Sequence, residues 1–176
     1  MTLPLADFLR TVPQGIVFAT VYLTDAAGDP LLLKSTYDPE VWQLPGGLPE
    51  AGEDPWAAAR RELAEETELE LPEQPAAPLL ALVFTPPVAG WPFRVGVVFD
   101  GGPLAPDRLA GLRLDPAEHS AHAVRPLADW RAELSPTRLA LVEAAAEARR
   151  TGRAGYRALV APPAAAPGPR DVGDTR

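Results

Sequence analysis

The chain has no cysteine, a single methionine and a single lysine, Lys34. Without cysteine there can be no disulfide, no thiolate metal site and no Cys nucleophile. No apolar run is long enough to span a membrane. The opening stretch MTLPLADFLRTVPQG carries an acid at Asp7 and lacks the basic-then-apolar layout of a secretion signal. These absences lead to the expectation of a cytoplasmic protein with no membrane partner. Positive charge is also scarce, with 16 basic against 24 acidic residues and a net charge of −8. Phosphate backbones attract basic surface, so a general nucleic-acid binder is excluded. The 22 prolines, and arginine in place of lysine almost throughout, are what GC-rich coding produces and carry no functional signal.

What is present is enough for one domain: 176 residues, 47% of them hydrophobic. The acidity is concentrated. Residues 50–70 hold eight acids (Glu50, Glu53, Asp54, Glu62, Glu65, Glu66, Glu68, Glu70) and two bases (Arg60, Arg61), a balance of −6 that leaves −2 for the remainder.

GIVFATVYL (15–23) is rich in β-branched and aromatic residues and reads as a strand. The turn DAAGDP separates it from LLLK (31–34). VWQL (41–44), PLLALVF (78–84) and FRVGVVFD (93–100) read as further strands, and AHAVRPL (121–127) as a last edge strand. One helix starts at Asp54-Pro55 and another at Ser135-Pro136, each a good N-cap with proline at the first helical position. The second ends with Arg149 and Arg150 in its last turn and Gly152 beyond. Strands interleaved with helices indicate an α/β domain with a mixed sheet over residues 1–160. The Pro/Ala-rich tail 161–176 is expected to be disordered.

The segment RRELAEETELEL (60–71) poses a physical problem. Glu62 and Glu66 lie four apart, where like charges destabilise a helix. On a wheel of roughly 100° per residue, Trp56, Ala59 and Leu63 form the buried stripe, and Glu62, Glu65 and Glu66 form a stripe beside it. Arg61 precedes Glu65 by four and can pair with it. A charge run is most often a solvated face. Here the preceding loop LPGGLPEAGE, with three glycines and two prolines, lets backbone approach something closely and ends at Glu53. A tight loop beside three carboxylates makes an oxygen-rich site of the kind that hard cations such as Mg²⁺ prefer.

From Gly47 the chain reads glycine, five residues, Glu53, seven residues, then Arg61-Glu62-Leu63-Ala64-Glu65-Glu66-Thr67-Glu68-Leu69. This resembles the Nudix box, G-x5-E-x7-R-E-U-x-E-E-x-G-U with U a bulky aliphatic. Gly47, Glu53, Arg61, Glu62, Leu63, Glu65, Glu66 and Leu69 match, and Glu68 stands where the family has glycine. The resemblance implies an α/β/α sandwich with a mixed sheet between helices. It also implies Mg²⁺- or Mn²⁺-dependent hydrolysis of a nucleoside diphosphate linked to another group. The first choice of substrate is a (d)NTP, with ADP-ribose or another nucleotide sugar second. The competing reading from another class is a Nudix-fold module that senses a nucleotide without cleaving it, which should have lost box carboxylates. Carried over by position, Glu62, Glu65 and Glu66 would hold metal with the Gly46 carbonyl, Arg61 would orient the glutamates, and Glu53 would support the shell or help activate water. The resemblance is the only ground for a homodimer. Glycine at the position of Glu68 ends the helix in a left-handed turn, which costs another residue on the order of 1 kcal/mol unless the chain exits differently.

Several residues outside the box are candidates. DPAEHSAH (115–122) gathers Asp115, Glu118, His119 and His122. A transition-metal centre there lacks further ligands. Glu118 is the better candidate, as a second active-site acid, against simple solvent exposure. Trp42, Phe84, Trp91 and Phe93 could stack on a base, with Trp91 in the loop PPVAGWPF the best choice, although strand aromatics are usually core. Lys34 and Arg94 could contact phosphate or serve as sheet-edge charges. No G-x-S-x-G occurs, so serine-hydrolase chemistry is excluded.

Overall fold

A computed structural model describes residues 3–160. The tail expected to be disordered, 161–176, lies outside the described residues. The elements in chain order are α1 (Leu5–Thr11), β1 (Gly15–Thr24), β2 (Leu31–Ser35), β3 (Trp42–Gln43), β4 (Gly46–Gly47), α2 (Pro55–Thr67), β5 (Leu79–Thr85), β6 (Phe93–Pro103), α3 (Pro106–Ala110), β7 (His119–Val124), α4 (Leu127–Trp130), α5 (Pro136–Thr151) and β8 (Gly155–Ala158).

Five strands form a mixed sheet in the order β4-β1-β6-β5-β8. β1 runs parallel to β6 and antiparallel to β4; β5 runs antiparallel to β6 and parallel to β8. The last six residues of β1 are all buried, as expected for a central strand covered on both faces. Its side chains alternate with period two. Ala19, Val21 and Leu23 pack with Trp56, Ala59 and Leu63 of α2, while Phe18 and Tyr22 pack with Leu141, Ala144 and Ala145 of α5. The molecule is therefore the expected α/β/α sandwich, with two cores separated by one sheet.

The sequence predicts one mixed sheet with a last edge strand at 121–127. Instead, a separate three-stranded antiparallel sheet has the order β3-β2-β7. β7 pairs with β2 and stops at Val124; Pro126 lies just before α4 and serves as its N-cap. The VWQL strand is shorter than expected, with only Trp42–Gln43 paired to β2, and Gly46–Gly47 beyond it forms a separate short strand paired to β1. No helix among the described residues is long and apolar enough to cross a membrane.

α2 and α5 begin and end where their caps predict. The Asp54 carboxylate accepts the Trp56 and Ala57 amides at 2.7 and 3.0 Å. α5 ends at Thr151 with Gly152 left-handed at φ 69°.

Candidate active site

The site forms where α2 passes the short strand β4. Gly46 has φ +137°, and a Cβ there would lie 2.2 Å from the Ala19 carbonyl oxygen, so only glycine fits. Its amide donates to Glu66 Oε2 at 2.8 Å. At Gly47 a Cβ would lie 2.5 Å from Glu62 Cδ. The two glycines thus bring backbone and carboxylates into direct contact.

Arg61 is the hub of the loop-helix junction. Its Nε and Nη2 each donate at 3.0 Å to the two oxygens of Glu53, and Nη2 also reaches the Leu48 carbonyl at 3.0 Å. Nη1 reaches Glu65 at 2.9 Å and Glu62 at 3.1 Å. A bidentate fork of this kind fixes orientation as well as charge. The Arg61 hydrogen bonds, joined by the Glu50 amide, hold the Glu53 carboxyl below its ordinary pKa. Glu62 goes the other way: burial raises it against the pull of Arg61, and the neighbouring Glu65 and Glu118 charges add to the rise.

Glu66 is 2% exposed. Its second oxygen lies 2.7 Å from Nε2 of His119, itself 3% exposed. Burial raises the Glu66 carboxyl, opposed by His119 and the Gly46 amide. Burial alone would lower His119, but hydrogen bonding and attraction to Glu66 raise it overall. The link between helix and loop is built locally. The Asp115 amide caps the Glu66 carbonyl at 3.1 Å, and Asp115 accepts the Ala117 amide at 2.8 Å, turning the chain so that Glu118 and His119 face the helix. Glu66, Glu118 and His119 offer ligand atoms that all lie within 4.8 Å of one another. Beyond Gly46 opens a cleft of about 490 Å³, between the sheet and the start of α5. Its walls include Phe18, Leu141, Trp91 and Arg94.

A family model for the NUDIX domain matches residues 14–85, which span β1 to β5 and include the whole carboxylate helix. Residues 14–85 are thus similar to the NUDIX domain. An RNA pyrophosphohydrolase of Rhodopseudomonas palustris (strain BisA53) is 54% identical over 37 residues, a match that covers 21% of this chain and 21% of that protein. The MutT protein of Methanosarcina mazei Go1 superposes with a TM-score of 0.62 at 20% identity, covering 80% of this chain and 96% of that one. The MutT NUDIX hydrolase of Burkholderia pseudomallei gives 0.57 at 26%, covering 75% and 96%.

Within the matched stretch the box residues are not equivalent. Glu66 is sealed, Glu62 is mostly covered, and the Glu65 side chain is 58% exposed and drawn to Arg61. Glu118 lies beside Glu66 and its charge acts on Glu62. His122 and Asp115 are not in the Glu66 group. Of the four aromatics, Trp91 alone lines the cleft. Trp42 packs against Trp130, and Phe84 and Phe93 stack on each other at 5.7 Å. Arg94 lines the cleft beside Trp91. Lys34 does not: it sits on β2, with its ammonium 5.6 Å from the Trp42 ring. Gly46 meets Glu66 through its amide, a contact in addition to the carbonyl role the resemblance implied.

His119 is a candidate in the sequence only as part of the 115–122 cluster, and its pairing with Glu66 is what sequence reasoning misses. Its partner lies 53 positions earlier, and nothing local in the sequence signals that pairing.

Proposed function

We propose that this protein is a divalent-metal-dependent pyrophosphohydrolase that cleaves a phosphoanhydride bond in a nucleoside diphosphate linked to another group, with a (d)NTP as the first substrate to test. The observation that carries the reading is the gathering of Glu66, Glu118 and His119 beside Gly46, with the Glu118 charge also acting on Glu62 and with Arg61 as the braced cation among the box glutamates. The donor set fits a hard cation such as Mg²⁺ or Mn²⁺. It is rich in carboxylate oxygen, and burial, with smaller repulsion from Glu65 and Glu118, raises Glu62. Glu62, Glu65 and Glu66 would hold the ion together with the Gly46 backbone. The chemistry that such an ion supplies is a lowered pKa for bound water and neutralisation of the diphosphate oxygens.

The chain's own groups do the rest. Arg61 and Glu53 fix the loop against α2. His119 fixes one oxygen of Glu66 and the Gly46 amide fixes the other. Glu118 would accept a proton from water as it attacks phosphorus, and the P–O bond to the leaving phosphate would break in line with that attack. Trp91 and Arg94 line the space for the part of the substrate that lies away from the carboxylates.

The test is turnover on a nucleotide panel with and without Mg²⁺. Metal-dependent release of phosphate or pyrophosphate is expected. Glu62→Gln and Glu66→Gln should each lower kcat by roughly 10²–10⁴. Unchanged turnover in both variants would overturn the site. A folded wild type that binds nucleotides but cleaves none would favour a sensing module.

A further inference from the structure

The cleft holds a second charged group that hydrolysis at the carboxylates does not require. Arg94 of β6 and Arg138 of α5 both line it. Neither has a carboxylate within ion-pair distance among the described residues, although most other arginines in the molecule do. Arg94 Nε is buried with no hydrogen-bond partner. Arg138 has only a long contact of 3.5 Å from Nη1 to the Ser135 hydroxyl. Glu133, in the adjoining hollow, is held by Arg125 instead. Asp38 acts on Arg138 only from a distance.

Arg138 is badly placed for folding in three respects. It is partly desolvated, and Arg94 repels it; both effects lower its pKa, burial more than the repulsion. It also sits in the first turn of a 16-residue helix, at the positive end of the macrodipole, with no acidic residue in that turn and no side-chain cap from Ser135. A single anion would relieve all three costs. The neighbouring walls are apolar, from Phe18 and Leu141, with Trp91 facing Arg94 at 5.9 Å.

We propose that Arg94 and Arg138 form an anion subsite, so that the part of the substrate seated in the cleft carries a phosphoryl group separate from the phosphates held at the Glu62–Glu66 carboxylates. This rests on the reading of the cleft as the substrate pocket, and within that reading it favours a nucleotide with a second anionic group beyond the cleaved diphosphate over a simple (d)NTP. Two like-charged, unpaired guanidiniums match such a group better than a neutral base, which needs hydrogen bonds but no charge.

The experiment uses full-length protein passed over a chelating resin, with inorganic pyrophosphate as the probe. Without a divalent ion the carboxylates repel pyrophosphate, so its binding reads the arginines. The melting temperature should rise by a few degrees over a chloride control of equal ionic strength. Arg94→Gln and Arg138→Gln should each weaken pyrophosphate about tenfold or more, while Arg108→Gln, on the exposed surface, should leave the affinity unchanged. Arg138→Gln should melt no lower than wild type in chloride. No pyrophosphate effect in wild type, an undiminished effect in both cleft variants, or a large loss of basal stability in Arg138→Gln with its pyrophosphate shift intact would each overturn the proposal. Hydrolysis is scored separately on the same samples. An inactive protein that binds pyrophosphate through the arginines retains this subsite and loses the catalytic reading, and an active protein indifferent to pyrophosphate does the reverse.

Discussion

Glu68 adopts φ 57° and ψ 16°, the left-handed conformation that the family glycine would take, and its amide closes the last turn on Ala64 at 2.9 Å. The helix does not exit differently to spare it. The nearest compensation is Arg113 at 3.9 Å, between two side chains that are 77% and 68% exposed, a contact worth little. A left-handed non-glycine residue costs about 1–2 kcal/mol, and glycine's extra freedom when unfolded takes back about 0.4–1. Glu68→Gly should therefore stabilise the protein by roughly 0.5–1 kcal/mol, a melting shift of about 1–4 °C at this chain length. Glu68 is exposed and is not in the Glu66–Glu118–His119 group, so kcat should not change. A variant that melts lower than wild type would show that Glu68 makes a contact worth more than its backbone costs.

At the scale of elements, the site depends on how closely β4 and α2 approach. The two box glycines do different work there. A side chain at Gly46 would strike the backbone of β1, which cannot yield, whereas one at Gly47 would strike only the end of the Glu62 side chain, which can. Gly47→Ala should therefore fold with near wild-type stability while pushing the Glu62 carboxylate out of place. Misplacement of about 1 Å can cost roughly 10² in rate, so kcat should fall at least tenfold with little change in melting temperature. Equal losses of stability and rate would mean that the strand, not the carboxylate, had moved. The sequence predicted α2 and α5 well because their signals are local: Asp54-Pro55, Ser135-Pro136 and Gly152 each act within one turn. It did not reveal β8, a four-residue stretch that becomes a strand only by pairing with β5 more than 70 positions earlier. Nor did it reveal α1, which buries no residue and so carries no amphipathic stripe to read. The carboxylate helix was legible for the same local reason, but Glu66's enclosure by His119 depends on where β7 is carried by the second sheet.

At the scale of the whole molecule, that second sheet must be held in place for Glu118 and His119 to meet α2. Trp130 is the residue best placed to hold it. It is fully buried in the core on the α5 side of the main sheet, and its indole nitrogen donates to the Pro30 carbonyl at 3.4 Å, just before β2. Its ring lies 5.1 Å from Trp42 of β3, and the Arg125 guanidinium, just beyond β7, sits 3.7 Å from its centre. One side chain therefore contacts the surroundings of all three strands of the small sheet. Trp130→Ala should cost about 3–5 kcal/mol, a large part of the roughly 5–15 kcal/mol that holds a domain together, and should lower the melting temperature by roughly 6–20 °C. Trp130→Phe keeps the ring packing without the indole hydrogen bond and should lose much less. Because β7 pairs with β2 through His119 and Ser35, loosening the small sheet should also weaken the His119–Glu66 contact before global unfolding. Hydrogen exchange in Trp130→Phe should then show faster opening of β7 amides than of β1 amides. Equal protection of the two strands would mean that the small sheet is held by its own pairing and that Trp130 contributes only bulk to the core.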